Sequence, residues 1–211
     1  MKPASIPLLY LHGFASSPFG RKVERLREIL PARYELHARD LNVPSFEELD
    51  FDEMVRVALS AANKINAEAI IGSSLGALVA LEVARKGFGA PMVLVAPALG
   101  FGARWLEKLP DGDPVPFFHH AMGREVPIHR RFFEDMASRT LEAVPPPPAV
   151  SIVMGEEDES VPFEGVRRVW EEWEGSGRLA PGSRFVAIPG GDHSLLDHVD
   201  SIADEVRRMV G

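Results

Sequence analysis

The sequence predicts an α/β domain: a mostly parallel sheet flanked by helices, with a lid-like insertion. Three observations carry this prediction. Short apolar runs alternate with segments of helical periodicity, the order that builds parallel sheets from strand–helix–strand units. Several of those runs are apolar at almost every position, as strands covered on both faces require. The rhythm then fails once, between about Leu99 and Pro148. A length of 211 residues suits one domain spanning 1–211, with 99–148 as an insertion inside it.

Taken in order, strands are expected at Ile6–Leu11, Tyr34–Ala38, Ala69–Gly72, Met92–Ala96, Val150–Met154 and Arg184–Ile188. Ser45-Phe46-Glu47-Glu48 has the capping-box pattern and is expected to open a helix. Phe51, Val55, Ala58, Ala62 and Ile65 recur along it at three- and four-residue spacing. A helix-like run, Leu75–Lys86, follows the third strand. Phe163, Val166, Trp170 and Trp173 repeat the helical spacing after Pro162, and Leu196, Val199, Ile202, Val206 and Met209 do so at the C-terminus, which places His198 inside the last helix. Each segment offers one apolar face to a sheet, and its aromatic residues read as core. From Leu99 to Val144 no strand is clear. Trp105, Phe117-Phe118, His119-His120 and prolines are scattered through it, and Pro145–Pro148 closes it as a stiff, extended spacer. An insertion of that length between strands is expected to act as a lid or cap.

Composition narrows the function. The chain is 45% hydrophobic and 26% charged, with a net charge of −8 and no long basic run, which argues against nucleic acid as a partner. It has no cysteine, so disulfides, thiolate nucleophiles and cysteine zinc sites are excluded. After Met1-Lys2-Pro3 a short apolar patch ends at His12-Gly13, too short for a signal-peptide core, and no run approaches the length of a membrane span. A cytoplasmic protein without membrane insertion is expected. None of these features bears on the oligomeric state.

The chemistry centres on "AIIGSSLGALVALEVA", Ala69 to Ala84, which holds adjacent serines between glycines. G-x-S-x-G fits in one frame only: Ser74 is flanked by Gly72 and Gly76, whereas Ser73 would be flanked by Ile71 and Leu75. A nucleophile on a sharp strand-to-helix turn needs those glycines, because side chains there would strike neighbouring backbone. A serine hydroxyl is a poor nucleophile without a base, so the turn predicts an acid and then a histidine downstream, each just past a strand. After "AVSIVMG" comes Glu156 to Pro162. Asp158 is the best-placed acid there, with Glu156, Glu157 and Glu159 as rivals that charge alone does not separate. After "RFVAI" comes His193, whereas His12, His37, His119, His120 and His129 precede the acid. The order Ser74, Asp158, His193 is that of a hydrolase triad. Backbone donors for an oxyanion are expected at Leu75, where the helix begins, and at Phe14, in the loop after the first strand. His12 and His119-His120 lack further ligands at suitable spacing, so no metal site is read from them. Ser73 is expected to pack and to make a local hydrogen bond.

The stretches "LLYLHGFASSP", "IIGSSLGALVAL", "GEEDESVP" and "GGDHS" resemble the α/β-hydrolase superfamily. In detail they resemble the small bacterial esterases of the YqiA type, in which an LHGF-x-SSP opening and a GSSLG elbow are characteristic. The resemblance spans nearly the whole chain. It implies an α/β-hydrolase core and ester hydrolysis, with Ser74 as nucleophile, Asp158 as orienting acid, His193 as base and the Phe14 and Leu75 amides as oxyanion hole. The 99–148 insertion is long for so compact a family. The expected substrate is a small, short-chain, uncharged ester, with no cofactor. The alternatives are a thioesterase or acyltransferase sharing the triad, and a non-catalytic binding module on the same fold.

Overall fold

A computed structural model describes residues 5–143 and 145–211. The Met1-Lys2-Pro3 start and Val144 within the insertion lie outside the described residues. The core is a six-stranded, all-parallel sheet in the order β2-β1-β3-β4-β7-β8. Its strands are β1 (Ile6–Leu11), β2 (Tyr34–Arg39), β3 (Ala69–Ser73), β4 (Met92–Val95), β7 (Val150–Gly155) and β8 (Arg184–Ile188). Every expected strand is present, with ends shifted by one residue at most. The strand after Ala69 runs on to Ser73, and the strand from Met92 stops at Val95 because Ala96 turns to a positive φ of 44°.

Side chains alternate between the two faces. Leu9, Ile70, Leu94 and Ile152 meet α2 (Phe51–Ile65), α3 (Leu75–Arg85) and α6 (Phe163–Gly175). Leu8, Ile71, Val93 and Val153 meet α1 (Arg21–Ile29) and α7 (Val199–Val210). The strand order reverses direction between β1 and β3, and in such sheets the crevice beyond the carboxyl ends at that point is the usual ligand site.

Some expectations need correction. Ser45 does accept a hydrogen bond from the Glu48 amide (3.2 Å), but this closes only a local turn. The helix begins at Phe51, because Asp50 caps it by accepting from the Glu53 amide at 2.9 Å. His198 lies in a single 3-10 turn, Leu196–His198, ahead of α7 and not inside it. The insertion contains strands after all: β5 (Val115–His119) and β6 (Arg124–Ile128) form an antiparallel hairpin between α4 (Phe101–Leu106) and α5 (Arg130–Ser138). Prolines at 116 and 127 and the short length disguise it. Helix α1 has no counterpart in the sequence reading, since it buries only Val23 and Leu26 along a charged surface. Among the described residues no helix is long and apolar enough to cross a membrane.

Candidate active site

The turn from β3 into α3 is shaped by what cannot fit. A Cβ on Gly72 would lie 2.6 Å from Ala77 Cα, and one on Gly76 would overlap the carbonyl oxygen of Leu11. Both positions of the G-x-S-x-G frame around Ser74 therefore exclude a side chain. Ser74 itself adopts φ 54°, ψ −115°, a conformation that costs a non-glycine residue about 1–3 kcal/mol. Backbone bonds hold it there: Ser74 N donates to Val95 O (2.9 Å), and its carbonyl accepts from Ala77 N (3.0 Å) and Ala98 N (3.3 Å).

His193 Nε2 lies 3.1 Å from Ser74 Oγ, and its Nδ1 lies 2.8 Å from Asp158 Oδ2. The Asp158 side chain is fully buried, and its other oxygen accepts from the amides of Ser160 (2.9 Å) and Val161 (2.8 Å). Asp158 thus acts only as an acceptor. This assigns the proton to His193 Nδ1 and leaves Nε2 to accept from the serine hydroxyl. Glu156, Glu157 and Glu159 are exposed. The loops carrying acid and base are laced together by Glu156 N to Ile188 O and Glu157 N to Gly191 O, both 3.0 Å.

The loop after β1 runs against Ser74, close enough that a Cβ on Gly13 would sit 3.2 Å from Ser74 Cβ. His12 fixes this loop: its Nε2 accepts from the Leu41 amide (2.9 Å) and its Nδ1 donates to the Gly13 carbonyl (2.8 Å). Phe14 follows, and its ring enters an aromatic cluster with Phe46, Phe101, Phe117 and Phe133, at centroid distances of 5.4, 5.4, 4.9 and 5.7 Å. Among the described residues no group of three or more His, Asp or Glu side chains is placed to hold a metal ion.

Ser73 departs from expectation. Its hydroxyl accepts a hydrogen bond from Lys22 Nζ on α1 at 2.9 Å, a link across 51 residues rather than a local one. Burial pulls the Lys22 ammonium down to about 8, against the opposing pull of Asp192 and Asp158. The buried Tyr10 phenol next to Ser73 is pushed up for the same reason. The sequence reading missed Lys22. The available signal was a pair of cations, Arg21-Lys22, shortly after the LHGF loop.

A cavity of about 930 Å³ opens over Ser74 and His193. The insertion supplies Phe101, Arg104, Trp105, Phe117 and His120 to its lining, and Arg21 and Lys22 line it from α1. A hollow of about 470 Å³ at the opposite end of the sheet, around Asn66, Glu68 and Phe88, holds no nucleophile–base pair.

The profile described as "Uncharacterised protein family (UPF0227)" matches residues 7–169, well over half of the chain. The chain belongs to that family. No curated protein matches this UPF0227 member. Its fold is that of the α/β hydrolases. The mouse α/β hydrolase domain-containing protein 10 superposes with a TM-score of 0.75 at 17% identity, covering 100% of this chain and 91% of that one. Est1E from Butyrivibrio proteoclasticus superposes at 0.73 and 17%, covering 99% and 90%. A monoacylglycerol lipase from Paleococcus ferrophilus superposes at 0.69 and 16%, covering 96% of each chain. At these identities the likeness to this UPF0227 chain is one of fold.

Proposed function

We propose that the chain is a serine esterase acting through an acyl-enzyme. The observation that carries the reading is the position of His193, within hydrogen-bond reach of Ser74 Oγ on one side and of the buried Asp158 on the other. His193 Nε2 takes the Ser74 proton as Oγ attacks the ester carbonyl. The amides of Phe14 and Leu75 hold the resulting oxyanion. Collapse breaks the bond to the alcohol, which leaves with the proton from His193. Water then gives a proton to His193 and attacks the acyl-enzyme, and the carboxylic acid departs as Ser74 recovers its proton. Asp158 keeps the imidazole in the Nδ1–H form and stabilises its positive charge. The fold shared with a monoacylglycerol lipase supports the same reading.

A fluorophosphonate probe and p-nitrophenyl butyrate test it. Labelling and turnover are expected in the native chain. Ser74→Ala should abolish both, whereas Ser73→Ala should retain labelling. A native chain that neither labels nor turns over sinks the esterase reading, and equal loss from the two serines sinks the choice of Ser74.

A further inference from the structure

Building on the esterase reading, we propose that the ester it hydrolyses carries a negatively charged group, a carboxylate or phosphate, bound by Lys22 together with Arg21 and Arg104. The chain is acidic, with 31 Asp and Glu against 23 Lys and Arg. Yet, among the described residues, the cavity over Ser74 is lined by Arg21, Lys22 and Arg104 and by no carboxylate. An uncharged substrate gives no reason for that inversion. An anionic one does, since a cation in a partly desolvated cleft attracts and orients it.

Lys22 is partly buried, and its ammonium, with three donors, has one hydrogen bond among the described residues, to Ser73 Oγ. It makes no ion pair there. The carboxylates that act on it through space are Asp158 and Asp192, and both are already committed. Asp158 serves His193 and two amides. Asp192 accepts from the Ser194 hydroxyl (2.8 Å) and the Leu195 amide (2.8 Å). Neither carboxylate is in ion-pair contact with Lys22 among the described residues, and a partly desolvated cation without a contacting counter-ion is costly, so this one is poised for an anion that arrives with the substrate. Placement on α1 points the same way. Arg21 and Lys22 open that helix, where the positive end of the helix dipole disfavours cations. Glu24 in the same turn is exposed and does not line the cavity. Arg104 is likewise free of ion pairs among the described residues, its guanidinium donating to the Leu99 carbonyl. The aromatic side of the cavity, Phe14, Trp105 and Phe117, takes the apolar remainder of the substrate. The cavity is therefore amphipathic, which sets a charged ester beside the uncharged one expected from the sequence.

Matched esters test this on the full chain near neutral pH. Mono-p-nitrophenyl glutarate against p-nitrophenyl pentanoate places the charge on the acyl side. The 4-carboxyphenyl ester of butyrate against phenyl butyrate places it on the leaving side. At least one charged ester should exceed its neutral partner in kcat/KM about tenfold. That ratio should fall about tenfold in Lys22→Gln, persist in Lys22→Arg, and be unmoved by Arg25→Gln on the exposed side of α1. If Lys22→Gln does not fold, salt gives the same reading in the native chain: about 0.5 M NaCl should shrink the ratio. Preference for the neutral partner in both pairs, or a ratio indifferent to Lys22→Gln or to salt, overturns the proposal. Absence of fluorophosphonate labelling would overturn the esterase reading instead.

Discussion

The β3–α3 turn holds its shape by excluding side chains, whereas the insertion holds its shape by accumulating them. At the turn, Gly72 and Gly76 leave room for backbone to touch backbone, and a web of amide bonds keeps Ser74 in a strained conformation. In the insertion, Phe101, Phe117, Phe132 and Phe133 gather around Phe14, and the backbone is tied down at intervals. His120 N donates to Ala15 O (2.9 Å), Trp173 Nε1 donates to Glu142 O (2.8 Å), and Arg139 bridges Asp52 and Asp135. The first device fixes the place of one hydroxyl. The second encloses a volume. In the proposed mechanism the reacting hydroxyl requires the former and the substrate cavity the latter.

The sharpest break between the two regions is expected in catalysis. His193→Ala should lower turnover of p-nitrophenyl butyrate about 10⁴-fold while leaving the thermal midpoint near that of the native chain. Asp158→Asn should cost far more than Glu157→Gln, and the reverse order would reassign the acid. Next comes the roof: Phe133, fully buried among aromatic rings, should cost about 3–5 kcal/mol when cut to Ala, read by denaturant titration. Gly76→Ala should cost about 1–3 kcal/mol by overpacking and reduce turnover too, because Leu11 and His12 must shift. Destabilisation with full activity would show that the turn tolerates movement. A smaller effect follows pH. The Lys22 pKa of about 8 in the fold lies below its ordinary value of 10.5, so between these values the folded chain binds fewer protons than the unfolded one. Its contribution to stability therefore rises with pH across that window, while its charge, and with it the preference for anionic esters, declines above about pH 8. The groups that act on Lys22 are Asp192 and Asp158 from neighbouring loops and Ser73, whose hydroxyl in turn bonds the Tyr10 phenol. A preference that persists undiminished above that pH would remove Lys22 from anion binding. Least of all, Arg131→Ala, which removes an exposed ion pair with Glu48 from the outside of the insertion, should change stability by less than about 1 kcal/mol.

What could be read from the sequence divides along the same line. The sheet was legible because strands buried on both faces leave near-continuous apolar runs, and the turn because its glycine spacing is a local rule. Chain order after strands pointed to His193 and to the loop Glu156–Glu159, whereas the burial that sets Asp158 apart from its exposed neighbours is a property of the fold. The hairpin Val115–Ile128 was not legible, since its prolines and half-exposed pattern, with Phe118 outward and Val115 inward, imitate irregular chain. Asp50 outcompeted Ser45 as a cap through a geometry that only the fold decides. Lys22 left only a faint trace, the adjacent cations Arg21-Lys22, because its partner Ser73 is 51 residues away and no linear pattern joins the start of one helix to the end of a strand.

Phe14 belongs to both regions at once. Its amide faces the reacting centre in the proposed mechanism, and its ring is packed into the aromatic roof. If the proposed mechanism holds, pocket size and reaction rate are therefore not independent variables in this molecule. On the esterase reading, trimming an aromatic residue to admit a bulkier ester would loosen the anchor that aims the amide, so a broadened substrate range would come with slower turnover unless the anchor is rebuilt by a compensating change nearby. Redesign of selectivity has more freedom at Arg21, at the charged mouth, than at any ring of the roof.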